Sequence, residues 1–405
     1  MGASLYSLWC IGVVATKHNP SAPARPKTAM HPCPPVRGCY APAMTTLTLP
    51  RWWDLHAHFR QGDLIAPLVR AHRAMGCAGF VAMPNTAPPV ARVLEDDPGD
   101  AWSIEAYARM FRDAGAGDME AIVPLYLTTA TTPAMVERGA AEGALRAAKY
   151  YPPHGTTGAG AAADVQTYFD NGVFAAMEAA DLVLCVHGEA HDVADADYFS
   201  RATNAEEAFY REIAPRIVEC HPKLRMVAEH VTTAVAADFV RQAGPRVGAT
   251  VTPQHLLYTT GHLLRGLKHH LYCLPVVKFA EDRAALRDLV RTHPTAFAGT
   301  DSAPHATKMT ACGCAAGCYT GGVAPQLYAM AFEEAGARLD KAEDAAAFRA
   351  FLCERGPAFW GLPVPKDTFT LERREASVAP LPTPQGPITP LPLGVGMQTL
   401  PWAIA

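Results

Sequence analysis

Two histidines separated by one residue lie in the run DLHAHFR, residues 54–60. On a β-strand, side chains two residues apart point to the same side. His56 and His58 would therefore project together, and they could hold one metal ion from the end of a strand. Arg60 continues the alternation, and its planar guanidinium is suited to a carboxylate. The run predicts a metal site beside an anion-binding group.

Further residues of the metal-binding and polar types follow the later apolar runs of the chain. Taken singly, His187 or His230 would more often be a hydrogen-bonded core histidine than a ligand. Their collection at the ends of six separate runs instead predicts one shared site. These residues are Asn85, Lys149, His187, Glu189, His230, Gln254, His255, Asp301 and His305.

Lys149 stands in the mainly apolar run AAKYYPP. A buried ammonium is costly, and burial lowers its pKa. A neutral lysine amine can react with CO2 to give a carbamate, which is an anionic ligand with two oxygens that could bridge two metal ions. Asp301 needs a cation or a proton beside it, and a metal would supply the cation. Four histidines, a modified Lys149 and Asp301 together predict two adjoining metal sites.

The elements that would position these residues alternate between short apolar runs and Ala-rich helical stretches. Eight strands with intervening helices predict an α/β fold of the (β/α)₈ TIM-barrel type, whose active site lies at the carboxyl ends of the strands. The predicted strands are 52–58, 79–83, 122–127, 147–151, 182–187, 225–230, 248–253 and 295–301. The predicted helices are 63–75, 103–114, 132–142, 165–180, 205–220 and 233–243.

The bulk composition and charge indicate which classes of binding partner the chain is not expected to have. The chain has 405 residues, 49% of them hydrophobic, and a net charge of −4 without a basic run, so we expect neither nucleic acid nor a membrane surface as a partner. No stretch has the continuous apolar length of a membrane helix. Eleven cysteines, an odd number in a long chain, favour reduced thiols in the cytoplasm over a disulfide framework.

The sequence divides into three predicted segments. Residues 1–45 are an extension, expected to be disordered or to come from an early start, with Met44 as a natural beginning and a transit peptide as the alternative. Residues 46–375 would form the metal-dependent hydrolase barrel. Residues 376–405 would form a Pro-rich C-terminal tail, extended on the surface, although such a segment could also be a ligand for another domain.

A second cluster of possible ligands, Cys312, Cys314 and Cys318, lies in ACGCAAGC. A structural zinc site needs four ligands, commonly in C-x2-C pairs, and this run has neither. We therefore interpret it as a Gly/Ala-rich loop with reduced thiols, with metal binding as the less favoured alternative.

The order HxH, Lys, His, His, Asp resembles the amidohydrolase superfamily. From Trp52 to Thr370 the chain more specifically resembles the dihydroorotase family, in its short, single-function bacterial type. Eight runs carry this resemblance in order: DLHAHFR, MPNTAPPV, AAKYYPP, VHGEA, EHVTT, TPQHL, HLYCLPVVK and GTDSAPHA.

The resemblance implies a role for each metal-type residue. His56 and His58 would bind the more buried zinc ion, with Asp301 nearby. His187 and His230 would bind a second zinc ion. Lys149, as N6-carboxylysine, would bridge the two. Cobalt or manganese could replace zinc, because metal supply and coordination geometry determine which metal binds in the cell more than ligand type does.

The resemblance also implies a substrate site and a homodimer. Arg60, Asn85 and His305 would hold the carboxylate of dihydroorotate, and Thr156 and Thr157 would lie on a loop that closes over it. The main chain near Leu274 would contact the pyrimidine ring, and His187 and Ala315 would also contribute. Two departures from the family pattern are the Gly- and Ala-rich loop PPHGTTGAGAA and a slightly short stretch between Asp301 and Cys312.

The implied reaction is the reversible hydrolysis of dihydroorotate to N-carbamoyl-aspartate in pyrimidine biosynthesis. Two metal ions would lower the pKa of a shared water and polarise the ring carbonyl, while Asp301 would carry the proton to the leaving nitrogen. One alternative is a hydantoinase or allantoinase, but Arg60, Asn85 and His305 suit a carboxylate that those substrates lack. The other alternative is an inactive barrel that acts as a binding partner.

Overall fold

The eight predicted runs all form β-structure. The computed structural model describes residues 45–153, 162–311 and 313–405. Its strands agree with the predictions to within a few residues, and the third run is divided in two. The strands are Trp52–Ala57, Cys77–Ala82, Glu120–Ile122, Leu125–Tyr126, Ala147–Tyr150, Val183–Val186, Arg225–Ala228, Val247–Val251 and Ala296–Ala298.

The central layer consists of parallel sheets. Six strands pair in chain order, from Leu125–Tyr126 to Ala296–Ala298. The first three strands form a second parallel sheet. A parallel bridge joins Ala57 at the end of the first strand to Ser302, which follows the last one. The carboxyl ends of the first and last strands therefore meet.

The six predicted helical stretches are confirmed. Four of the six begin at a side-chain cap, where Ser103, Thr132, Asn204 or Thr233 accepts a hydrogen bond from the backbone N–H three residues on. The predicted helix 165–180 is interrupted at Gly172, whose φ of 78° favours glycine. The helices between the strands are Ile65–Ala74, Ile104–Asp113, Pro133–Ala141, Gln166–Asp170, Val173–Ala179, Asp195–Tyr198, Ala205–Ala208, Ala214–Cys220, Ala234–Gln242, Pro253–Leu257, Thr260–Leu264 and Ala280–Thr292.

Helices also follow the last parallel strand, and short strand pairs border the loops. These helices are Ala324–Glu334, Ala342–Arg349, Arg355–Trp360 and Leu391–Gly394. The short pairs are Val90–Arg92 with Trp102–Ser103, Met309–Thr310 with Gly313–Cys314, and Ala376–Ser377 with Thr399–Leu400. No helix within the described residues is long and apolar enough to cross a membrane.

The C-terminal segment returns to a small antiparallel sheet. In that sheet Thr46–Pro50 pairs with Thr368–Glu372, which pairs with Ala403–Ile404. Trp402 is fully buried, and its indole N–H donates to a carboxylate oxygen of Glu333 over 3.1 Å. Residues 376–405, for which we predicted an extended surface tail, thus also supply side chains to the core.

Candidate metal centre and substrate pocket

His56, His58 and Asp301 converge where the first and last parallel strands end. One ligand atom from each lies within 4.8 Å of the others. Asp301 Oδ1 is 3.0 Å from His58 Nε2 and 3.5 Å from His56 Nε2. The Asp301 backbone N–H donates to His56 O over 2.8 Å, which fixes the two chain segments to each other. The three residues form one buried group that could hold a metal ion.

The other predicted ligands surround this group. The ring of His230 lies 4.8 Å, centroid to centroid, from the ring of His56 and 4.8 Å from that of His187. Lys149 is fully buried beside them, with its ammonium nitrogen 5.0 Å from the ring centroid of Tyr151. The structure therefore brings the four histidines, Lys149 and Asp301 to one edge of the sheets.

Three of the histidines are held by a hydrogen-bond acceptor on one ring nitrogen. His56 Nδ1 lies 2.7 Å from Glu229 Oε2, and His58 Nδ1 lies 2.8 Å from the side-chain oxygen of Asn85. His187 Nε2 lies 2.8 Å from a carboxylate oxygen of Glu189. Such outer acceptors fix the tautomer and orientation of a ligating imidazole. The opposite nitrogen of each ring is then available for a metal.

Glu229 was not among the predicted site residues. It also accepts a hydrogen bond from the Thr250 hydroxyl over 2.5 Å, and it is almost fully buried. The sequence gives one indication of Glu229, because this acidic residue directly precedes the predicted ligand His230 in EHVTT. Tyr151, which lines the pocket, was also missed, although it lies two residues after Lys149.

Several buried atoms of the predicted ligands have no hydrogen-bond partner among the described residues. They are His56 Nε2, His230 Nδ1 and Lys149 Nζ. A buried polar atom without a partner costs about 1–3 kcal/mol. Coordination of a cation by the imidazole nitrogens, and conversion of the amine to an anionic ligand, would remove this cost. The nitrogen and oxygen donors fit zinc and similar transition metals.

The electrostatics of the group favour the deprotonated forms of His58, His230 and Asp301. Burial lowers the pKa of His58 to about 4 and the pKa of His230 well below its ordinary value. Burial acts against protonation of His56 too, but Glu229 and Asp301 together raise its pKa. Burial alone would raise the pKa of Asp301, yet the neighbouring imidazoles of His56 and His58 hold it well below the usual range.

The backbone at the site is strained. Arg60, His230 and Asp301 have φ angles of 58°, 40° and 47°, in the left-handed region that non-glycine residues rarely adopt. The His230 N–H donates to the Thr250 hydroxyl over 2.7 Å, and the Asp301 N–H is held by His56 O. These local bonds help to keep functional side chains on a backbone that would otherwise relax.

A pocket opens above the metal-type residues, and four predicted substrate residues line it. They are Arg60, Asn85, His187 and Leu274. His305 lies behind Arg60: its Nε2 is 3.0 Å from Arg60 Nη2 and 2.8 Å from Ala316 O, and it lines an adjoining cavity. Ala316 and Gly317 line the pocket, while the neighbouring Ala315 does not. Thr156 and Thr157 lie outside the described residues.

The cysteine loop carries free thiols. Cys314 and Cys318 are unpaired by disulfides, as are all seven cysteines in the described ranges. Within those ranges neither belongs to a group of three potential metal ligands. Cys312 falls outside them. The reduced-thiol interpretation of this loop stays a prediction.

Sequence relatives define the chain as a cyclic amidohydrolase. No protein-family model matches the sequence. The dihydroorotase of Halorhodospira halophila is 41% identical over 369 residues, which cover 89% of this chain and 99% of the relative. The chain therefore belongs to the dihydroorotase family.

Solved structures show the same fold. A Saccharomyces cerevisiae dihydroorotase in complex with 5-fluoroorotic acid superposes with a TM-score of 0.78 at 24% identity, covering 89% of this chain and 98% of that one. An L-hydantoinase from Arthrobacter aurescens gives a TM-score of 0.65 at 16% identity, covering 88% of this chain and 84% of that one. At these identities both similarities concern the fold alone.

Proposed function

We propose that this chain catalyses the reversible hydrolysis of (S)-dihydroorotate to N-carbamoyl-L-aspartate in pyrimidine biosynthesis. One observation carries the proposal: His58 and Asp301, two members of the buried His56–His58–Asp301 group, line the same pocket as Arg60 and Asn85. The first group suits hydrolysis and the second suits a carboxylate on the substrate. Membership of the dihydroorotase family supports the same reaction.

The scaffold of this site is, we propose, a closed (β/α)₈ barrel. The six-stranded and three-stranded parallel sheets follow each other in chain order, and the Ala57–Ser302 bridge links the first strand to the end of the last. Closure would bring the carboxyl ends of all the strands around one mouth, where barrel enzymes hold their active sites.

Two zinc ions, or cobalt or manganese in their place, would occupy the centre. His56 and His58 would hold one ion, His187 and His230 the other, and a CO2-derived carbamate on Lys149 would bridge them. The fully buried and unpartnered Lys149 amine supports this modification. When bound, the metal ions activate a water and polarise the ring carbonyl.

The protein's own groups then bind the ring and move the proton. Asp301 accepts a proton from the attacking water and delivers it to the departing ring nitrogen, and the reverse reaction uses the same carboxylate. Arg60 binds the substrate carboxylate, Asn85 assists, and His305 holds the Arg60 guanidinium in place. The main chain at Leu274 contacts the ring. Contributions from Ala315, Thr156 and Thr157 stay predictions.

The setting we propose is a cytoplasmic homodimer that acts on a small molecule. The free thiols of the described cysteines support a reducing compartment. The dimer follows from the family resemblance.

The test is turnover of dihydroorotate and of N-carbamoyl-aspartate, with a hydantoin as the control substrate. We expect both directions to proceed and the hydantoin to remain intact. Asp301→Asn should keep the bound metal while kcat falls by about 10²- to 10⁴-fold, since that is the typical contribution of a positioned acid–base group. Hydrolysis of the hydantoin alone would replace this proposal with the hydantoinase alternative. Near-normal kcat in Asp301→Asn would refute the role of Asp301.

A further inference from the structure

Lys308 is a buried cation that neither the motifs nor the mechanism above uses. Its side chain is 6% exposed. Its ammonium donates to the backbone oxygen of Tyr272 over 2.8 Å and also to that of Gly317. Within the described residues, no carboxylate forms an ion pair with it, and both hydrogen-bond acceptors are main-chain carbonyls.

The two carbonyls belong to different segments of the pocket wall. Tyr272 stands two residues before Leu274, and both Leu274 and Gly317 line the pocket. The Gly317 N–H also donates to Tyr272 O over 3.0 Å, and the Ala315 N–H donates to Lys308 O over 2.8 Å. Lys308 thus joins the 272–274 and 315–317 segments through its side chain and its backbone.

The joined wall has little freedom to change shape. Gly317 has a φ of 136°, and a Cβ at this position would lie 2.5 Å from the Cβ of Ala303. Only glycine fits there. Because Gly317 is held by Lys308 on one side and by Ala303 on the other, removal of the Lys308 ammonium should release one side of the wall while the scaffold stays intact.

The charge of Lys308 also acts toward the pocket. Burial lowers the pKa of Lys308, and repulsion from Arg60 contributes. Burial likewise lowers the pKa of His305 to about 3, with repulsion from Arg60 and Lys308 contributing. Two cations near one wall favour an anionic ligand over a neutral ring.

We propose that Lys308 is a positioning and specificity-determining residue: its ammonium holds the Leu274 and Gly317 main chain in place for the ring and adds positive charge that favours a carboxylate-bearing substrate. The inference rests on the proposed function. It adds a residue that touches the pocket wall rather than the substrate.

The experiment compares Lys308→Met with the control Lys268→Met in the metal-loaded protein. Lys268 likewise donates to the main chain, to the one backbone oxygen of Arg265, and it does not line the pocket. For Lys308→Met we expect KM for dihydroorotate to rise about 10- to 100-fold, from the loss of charge-assisted hydrogen bonds. kcat should stay within about threefold and the metal content should be unchanged. The Kd of 5-fluoroorotic acid should rise by the same factor as KM, and Lys268→Met should match the parent.

Two further variants keep the result decisive. Lys308→Arg keeps a charge and several donors and should recover part of the lost affinity. If Lys308→Met does not fold, Lys308→Gln takes its place, and the same changes in KM, kcat, metal content and Kd are expected of it. If the parent enzyme is active and Lys308→Met leaves KM unchanged, the inference about Lys308 is refuted and the proposed function stands. Equal losses of kcat, metal content and affinity in Lys308→Met would refute it in the same way. A parent protein that does not turn over dihydroorotate would overturn the proposed function and this inference with it.

Discussion

Replacing Glu229 with Gln should weaken metal binding without unfolding the protein. Glu229 accepts hydrogen bonds from His56 Nδ1 at 2.7 Å and from the Thr250 hydroxyl at 2.5 Å, both on Oε2. A Gln side chain has the same shape but is neutral, and one end of it is a donor. At least one of the two bonds must become weaker, or the amide nitrogen must face another donor.

The size of the effect follows from these contacts. A hydrogen bond to a charged group contributes about 1.5–3 kcal/mol, and about 1.4 kcal/mol corresponds to a tenfold change in affinity. Loss of the charged bond to His56 should therefore weaken metal binding about 10- to 150-fold, which agrees with the usual effect of removing an outer acceptor. The weakening should concern the ion bound by His56 and His58 more than the other.

The assay is competition for zinc against a chromophoric chelator, with the melting temperature measured in parallel. Glu178→Gln is a matched control, because Glu178 also pairs with a histidine, His221 at 3.4 Å, but lies on the outer helix Val173–Ala179. An unchanged zinc affinity in Glu229→Gln, or an equal loss in Glu178→Gln, would refute the reasoning.

Three further predictions concern Lys149, Trp402 and Glu206. Lys149→Ala should lose bound metal and activity and regain part of both with short-chain carboxylic acids; full metal content measured in the variant would argue against the bridging carbamate. Trp402→Ala should lower the free energy of unfolding in urea by about 3–5 kcal/mol, the usual range for a buried tryptophan, whereas a loss below about 1 kcal/mol would mean that residues 376–405 contribute little to the core. Burial raises the pKa of Glu206 from 4.5 to about 7, so the folded state holds this proton more tightly than the unfolded state. The stabilisation that the Glu206 carboxyl contributes to the folded state is therefore fully present below about pH 4.5. It is lost as the pH rises through 7, and the free energy of unfolding falls by about 3 kcal/mol in total. Glu206→Gln should remove that dependence, and parallel curves of unfolding free energy against pH in the two proteins would contradict it.

The parts of the fold and site that depend on local pattern were predictable. The twofold alternation in DLHAHFR predicted that His56 and His58 project together from the end of a strand. The strand Trp52–Ala57 contains His56, His58 directly follows it, and the two rings lie 5.5 Å apart, centroid to centroid. Parallel strands align their carboxyl ends, so ligands from distant runs could be expected at one edge. That rule predicted one shared site, and the resemblance to the dihydroorotase family placed Asp301 beside His56 and His58.

The parts that depend on cross-strand contacts were not predictable. Glu229 acts through His56, which is 173 positions away, and nothing in EHVTT specifies that partner. The roles of Lys308 and Tyr151 likewise depend on which carbonyls or rings lie opposite them. The burial of Trp402 was missed because its Pro-rich surroundings predicted an extended surface tail. Its hydrogen bond to Glu333 and the pairing of Ala403–Ile404 in the small antiparallel sheet hold the side chain in the core.

The left-handed backbone at Arg60, His230 and Asp301 has a consequence for engineering this protein. Each such conformation costs roughly 1–3 kcal/mol, and glycine would avoid most of it. A library selected only for heat resistance should therefore enrich Gly at these positions. Each enriched variant would lose the group that we propose to bind the anion, ligate the metal or transfer the proton. Stability and turnover compete at the same three residues, so a thermostable catalyst must gain its stability elsewhere in the chain.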